Sequence, residues 1–367
     1  MNNTCGTLLR TGVLTLLATL APWTGIPDFS LANANGLVAK MQLAALAPSS
    51  ETEKQREARL IEGAKSEGKV VYWDSVNAKE WEFVFGKFRQ RYPFVATEFW
   101  RAGDAEVYQK VITEARAGVH NFDLAGVEIN LLSELKKTGL MKKYAWPSTA
   151  GWSPAHKDSE GYWVARQINC VVIAYNTNLV SAAEAPKTWE DLLNPKWKGA
   201  ISMDKDGSEW VLLLMSVWGK EKTLNYLTNL AKNNISLGGA TTQRTEMLGA
   251  GAFKLDLRLN LDRVLYYRQQ GAPLDWVRTD PILSRPSPTY IAERAPHPNS
   301  AILFADWFTS LEGQNAIHEA SGKFLPDQRV KSKVGDALSG QKVAFFPVEF
   351  GVHGSEAERM WRDIFLK

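Results

Sequence analysis

EKQREARLIEGAKSEGKVVYWDS, residues 53–75, carries the alternation on which the fold reading rests. The first sixteen residues have helical character that ends at Gly68, and KVVYW follows as a short β-rich strand with Asp74 and Ser75 at its tip. Downstream the pattern repeats. A helix is expected over Glu80 to Arg91, a strand over VATEFW after Pro93, a turn at Arg101-Ala102-Gly103-Asp104, a helix over Ala105 to Ala117, and a further strand-to-helix step in FDLAGVEIN. Strands alternating with helices imply an α/β chain with a parallel or mixed sheet and helices on its faces. In such sheets ligands sit beyond the C-terminal strand ends. Those ends carry Trp73, Asp74 and Ser75, then Arg101, then Glu128.

The second half repeats the style. After a Trp/Pro/Ser/Gly-rich loop, Tyr144 to Gly161, the apolar run Gln167 to Tyr175 reads as a first crossover between two lobes. PKTWEDLLNPKWKGAISM gives a short helix, a turn and a strand, and Ser208 to Trp218, Glu221 to Ala231 and Leu261 to Gln270 read as helices. The chain breaks at Leu237-Gly238-Gly239, and GAPLDWV reads as the strand returning to the first lobe. Near the end, APHPNSAILFADWFTSLEGQ, residues 295–314, places two prolines before an apolar stripe of Ile302, Leu303, Trp307 and Phe308. A helix should begin near Ser300, capped by Asn299 or Ser300, with a fresh start after Ser310.

The 367 residues are 45% hydrophobic and 23% charged, enough for a large core split between two domains and incompatible with disorder as the dominant state. A net charge of +3, with bases and acids interleaved, gives no nucleic-acid footprint. At the N-terminus, Arg10, the apolar run Gly12 to Pro22 and the small-x-small Ala32-Asn33-Ala34 read as a cleaved secretory signal over residues 1–34. Residues 35–50 read as a leader. Cleavage leaves Cys170 as the sole cysteine, so no internal disulfide is possible, and its place within INCVVIAY marks it as a small core residue.

Motifs for catalysis are missing. The five histidines are scattered, and the chain holds no HExxH, CxxC or GxSxG and no GxxxxGK followed by Ser or Thr. No cofactor or metal is implied. Anion recognition has better support: Arg101 to Asp104 and Thr241 to Arg244 each set an arginine beside a turn into a helix, where backbone donors and a guanidinium converge. Ser208 is a helix cap within reach of a ligand, and Trp73 beside Asp74 is the best candidate for an aromatic wall.

LIEGAKSEGKVVYW, VVIAYNTNLV, PKTWEDLLNPKWKGAISMD, GAPLDWVRTDP and APHPNSAILFADWFTSLEGQ, in that order, resemble segments of periplasmic solute-binding proteins of ABC importers, in the branch that includes the ferric-iron binders. The resemblance implies a type II, two-lobed Venus-flytrap fold with two hinge crossovers. Residues 51–168 and 276–325 would form lobe I, and 169–275 and 326–367 lobe II. It implies a periplasmic, monomeric receptor that captures a small-molecule ligand and meets an ABC permease and ATPase at the inner membrane. The candidate cleft residues are Trp73, Asp74, Ser75, Arg101, Glu128, Ser208, Thr242, Arg244, Arg258, Asn260 and Tyr290. Ferric relatives bind iron through an adjacent tyrosine pair. Here Tyr266 and Tyr267 fall about a turn beyond Leu261 and Asp262, where the resemblance would put those ligands, so a small organic anion is the first expectation. Ferric iron is the second, and a periplasmic enzyme or sensor on the same fold is the third.

Overall fold

The computed structural model describes residues 52–366. The expected signal segment and leader, residues 1–50, lie outside the described residues.

Helix α1 (Glu53–Glu67) buries Leu60 and Ala64 and feeds β1 (Lys69–Asp74). Asn77 then caps α2 (Ala78–Arg91), its side chain accepting from the Lys79 and Glu80 amides. β2 (Ala96–Arg101), α3 (Asp104–Arg116), β3 (Leu124–Gly126) and α4 (Ile129–Lys137) complete the first half. Strand β4 (Val164–Asn176) is followed by β5 (Ile201–Asp204), α5 (Ser208–Trp218), α6 (Lys220–Leu230), β6 (Ser236–Gly238), α7 (Thr241–Gly249), β7 (Leu255–Asn260), α8 (Leu261–Gln269) and β8 (Leu274–Trp276). The chain closes with β9 (Ile282–Ile291), α9 (Pro298–Thr309), α10 (Leu311–Ser321), α11 (Lys333–Ala337), β10 (Val343–Phe345) and α12 (Gly354–Phe365).

These strands form one mixed sheet in the order β2-β1-β3-β9-β4-β7-β5-β6, with β10 added to β9 and β8 to β4. β1 is parallel to β2 and β3, and β5 is parallel to β6 and β7. Between these two parallel triplets run β4 and β9, antiparallel to each other. β4 begins opposite the end of β9 that pairs with β3, and it ends against β7. β9 runs the opposite way, so the two long strands are the crossovers. The first crossover is where the sequence places it. The second is not GAPLDWV: Leu274–Trp276 pairs with Ala174–Asn176 on the far side, and the return is made by Ile282–Ile291.

One core cluster lies between β1 and helices α1, α2, α9 and α10. Phe304 sits at its centre, with ring centroids 5.0 Å from Phe88, 5.7 Å from Phe85 and 5.9 Å from Phe308. Helix α9 starts two residues earlier than the sequence suggests, because Pro298 occupies the first turn, where its missing N–H costs nothing. Asn299 and Ser300 are therefore inside the helix and cap nothing. Their amides donate to the Glu67 carboxylate at 3.0 and 2.7 Å, which ties α9 to the end of α1. Ser310 does cap α10, accepting from the Gly313 amide.

Candidate functional site

The C-terminal ends of all six parallel strands open on one cavity of about 400 Å³ between the two triplets. Ser75, Val76 and Asn77 enter from the tip of β1, Asp104 from beyond β2, and Val127 and Glu128 from β3. The opposite wall has Asp204 from β5, Ala240, Thr241 and Thr242 from the turn after β6, and Arg258 and Asn260 from β7. The crossovers form the floor, with Arg166, Gln167 and Asn169 from β4 and Arg285 and Ser287 from β9. Glu80, Arg263 and Lys323 complete the rim.

Three adjacent features shape this space. Arg166 is anchored to Asp74 at 2.9 Å and donates to the Pro288 carbonyl, so the β4 crossover is tied to the tip of β1. Gly126 makes room for that pair, since a Cβ there would lie 1.9 Å from Asp74 Oδ2. Across the cavity, Glu209 holds both Arg258 and Arg285, and Arg258 also meets Asp204 at 3.1 Å. The rim is bridged by Arg263 and Glu80 at 3.0 Å, joining α8 to α2.

Several buried polar atoms in and around the cavity wall have no hydrogen-bond partner, among them Nε of Arg166, Nε of Arg258 and Oε1 of Glu209. The Glu128 carboxyl is strongly perturbed. Loss of hydration, then the charges of Glu209 and Asp104, push it up to about 8 against the pull of Arg285 and Arg258. Burial, more than any other cause, also raises Asp104.

Of the residues singled out from sequence, Ser75, Glu128, Thr242, Arg258 and Asn260 line the cavity. The other six are placed elsewhere, and each has a physical reason. Trp73 faces the core, stacked on Phe122 at 4.6 Å and against Trp100 at 5.2 Å. Asp74 is spent on Arg166, on the Tyr72 hydroxyl and on the amides of Ser75 and Val76. Arg101 is exposed and donates to the Val76 carbonyl, outside the cavity. Ser208 donates to Asp206 at 2.7 Å. Arg244 is fully buried, its guanidinium shared among Asp256, Asp204 and the Gly239 and Arg258 carbonyls. Tyr290 is fully buried in the β9–β3 ladder, and burial raises its hydroxyl pKa.

Sequence reasoning missed Arg166, Asn169, Arg285 and Ser287. Their trace was present: polar residues two apart, Gln167 with Asn169 and Arg285 with Ser287, interrupt otherwise apolar strands. In a strand that spacing sets both on one face.

Metal donors do not gather here. Among the described residues, no group of three or more His, Cys, Asp or Glu side chains is arranged to hold an ion, and no tyrosine or histidine lines the cavity. Tyr266 is exposed and Tyr267 bonds Glu246, both off the cavity wall.

Residues 121–350, more than half of the chain, match the family described as bacterial extracellular solute-binding protein. The chain belongs to that family. An uncharacterized protein of Haemophilus influenzae is 23% identical over 324 residues, covering 81% of this chain and 89% of that one. A putative 2-aminoethylphosphonate-binding periplasmic protein of Salmonella typhi is 25% identical over 166 residues, 42% of this chain and 48% of its own. Iron-bound HitA from Pseudomonas aeruginosa superposes with a TM-score of 0.70 at 20% identity, over 81% of this chain and 99% of HitA. AfuA from Actinobacillus pleuropneumoniae, with fructose-6-phosphate bound, gives 0.70 at 21% identity over 82% and 99%. The fold is thus that of the two-lobed periplasmic binding proteins.

Proposed function

We propose that this solute-binding protein is the periplasmic substrate receptor of an ABC importer. It captures a small organic anion between two lobes and delivers it to a membrane permease served by an ATPase. One observation carries the anion assignment. Helix α7 opens onto the cavity at Thr241 and Thr242 with no capping side chain and no acidic residue in its first turn, and Arg258 faces the same space. Unfilled amide donors at a helix start, with the positive end of its dipole, form an anion site. Arg285 adds a second guanidinium from the floor.

The crossover strands support two lobes divided within β4 and within β9, which moves the return from residue 276 into Ile282–Ile291. A ligand touching both walls binds the closed arrangement better and so draws the lobes together. The receptor acts as a monomer after loss of residues 1–34. It is a carrier, not an enzyme. Ferric iron held by tyrosinates is the weaker alternative, because the cavity wall offers the ion carboxylates but no phenol.

A thermal-shift panel of phosphonates, phosphomonoesters and carboxylates tests the reading. An anion at 100 times its dissociation constant should add about 2.7 kcal/mol of stability. No shift with any anion class would overturn the assignment.

A further inference from the structure

The charges on the cavity wall are not arranged for a simple anion. Every basic side chain there already has a carboxylate within ion-pair distance: Arg166 has Asp74, Arg258 has Asp204, Arg263 has Glu80, Arg285 has Glu209 and Lys323 has Asp262. The wall's acids are not matched in the same way. Asp104 and Glu128 have no ion pair among the described residues, although both are partly buried and line the cavity. Asp104 opens α3 and Glu128 precedes α4, so these acids also face the positive ends of their own helices.

The unpaired acids and the bases are separated in space. The β1–β3 side presents Glu80, Asp104 and Glu128 and no base, whereas the β5–β7 side and the floor present Arg166, Arg258, Arg285 and the open start of α7, their one acid, Asp204, being paired with Arg244 and Arg258. The unpartnered buried atoms on the wall are donors. Arg166, 4% exposed, and Arg258 each keep a donor in Nε. A buried donor left without a partner is costly, so these arginines call for an acceptor, while the unpaired Asp104 and Glu128 call for a cation.

Building on the anion site proposed above, we infer that the solute is amphoteric: an anionic group joined by a short chain to a protonated amine. The anion lies against the start of α7, Arg258 and Arg285, and the ammonium lies between Asp104 and Glu128. A plain anion of the same size would enter a space that already holds two unmatched carboxyls. The amphoteric solute instead sets its anion on α7 and Arg258 of one lobe and its ammonium on Asp104 and Glu128 of the other, with Arg285 on the floor between them, so only the closed arrangement satisfies both ends. Binding would also ionise Glu128. The groups facing that carboxyl are Asp104 on α3, Glu209 on α5, Arg258 on β7 and Arg285 on β9, and an added ammonium shifts their balance towards the charged form.

Calorimetric titration with two matched pairs tests this: 2-aminoethylphosphonate against propylphosphonate, and 4-aminobutyrate against pentanoate. In each pair a methyl replaces the amine and the anion is kept. The expected result is that the amino member of at least one pair binds about tenfold to a hundredfold more tightly, the worth of a charge-assisted hydrogen bond. The Asp104→Asn and Glu128→Gln variants, checked for a cooperative melt, should each reduce that preference. Equal or tighter binding of the amine-free member in both pairs overturns the inference but leaves the anion site standing. A preference that survives both substitutions does the same. Binding by none of the four overturns the amphoteric inference, and silence of the wider anion panel as well overturns the anion site beneath it.

Discussion

The Glu128 carboxyl, held at about 8 rather than the ordinary 4.5, makes the empty protein sensitive to alkali. As pH rises through that window the unfolded chain gives up the proton first. The folded state therefore binds more protons, and stability falls with pH between about 4.5 and 8. Glu128→Gln should flatten that fall and raise the melting temperature at pH 8. Identical pH profiles for variant and parent, read by circular dichroism, would contradict the burial assigned to this group. Two arginines make a second residue-level contrast. Arg244→Ala leaves Asp256 buried without its counter-ion and should cost about 3–5 kcal/mol in urea melts. Arg101→Ala removes one exposed hydrogen bond and should stay within about 0.5 kcal/mol, with ligand affinity unchanged. In the sequence these two arginines look alike, each beside a strand-to-helix turn. What separates them is Asp204 and Asp256, forty and twelve positions away from Arg244, and no local pattern reports such partners.

At the level of elements, helices and parallel strands were legible because their determinants are local: apolar period, caps, and glycine or proline punctuation. The crossover β9 was not, because its sequence ILSRPSPTYI carries Pro286 and Pro288, which cannot donate to a ladder and normally argue against an interior strand. The fold accommodates them opposite Ile168 and Ala165, and the Pro288 carbonyl is taken up by Arg166. The α9–α10 corner was legible in outline, from the break at Ser310, but its tightness was not. A Cβ at Gly313 would lie 2.2 Å from the Trp307 carbonyl oxygen, a backbone atom with no freedom to retreat. Gly313→Ala should therefore destabilise by about 1–3 kcal/mol, the usual cost of overpacking. A thermal melt matching the parent's would show that the corner relaxes.

At the scale of the whole molecule, two parallel triplets joined by two antiparallel crossovers place the ends of six strands around one cavity. Five of the eleven residues singled out from sequence stand in its wall, because a strand end is a readable address. The floor left only the two-residue polar spacing in β4 and β9 as its trace, because it exists as a surface only once those strands lie side by side. The Glu80–Arg263 bridge joins the two sides at the rim. It is partly exposed, so Glu80→Gln should cost at most about 1 kcal/mol of fold stability. It should instead raise the radius of gyration of the ligand-free protein in small-angle scattering, and an unchanged radius would show that the bridge does not hold the lobes together. The central claim is that the cavity between the triplets holds an anionic solute. A crystal structure with the tightest-binding member of the anion panel tests it most directly. Ligand density reaching Thr241, Thr242 and Arg258 on one side and the β1–β3 strand ends on the other is the predicted result. Density outside this cavity, or a metal ion in place of the anion, would contradict it.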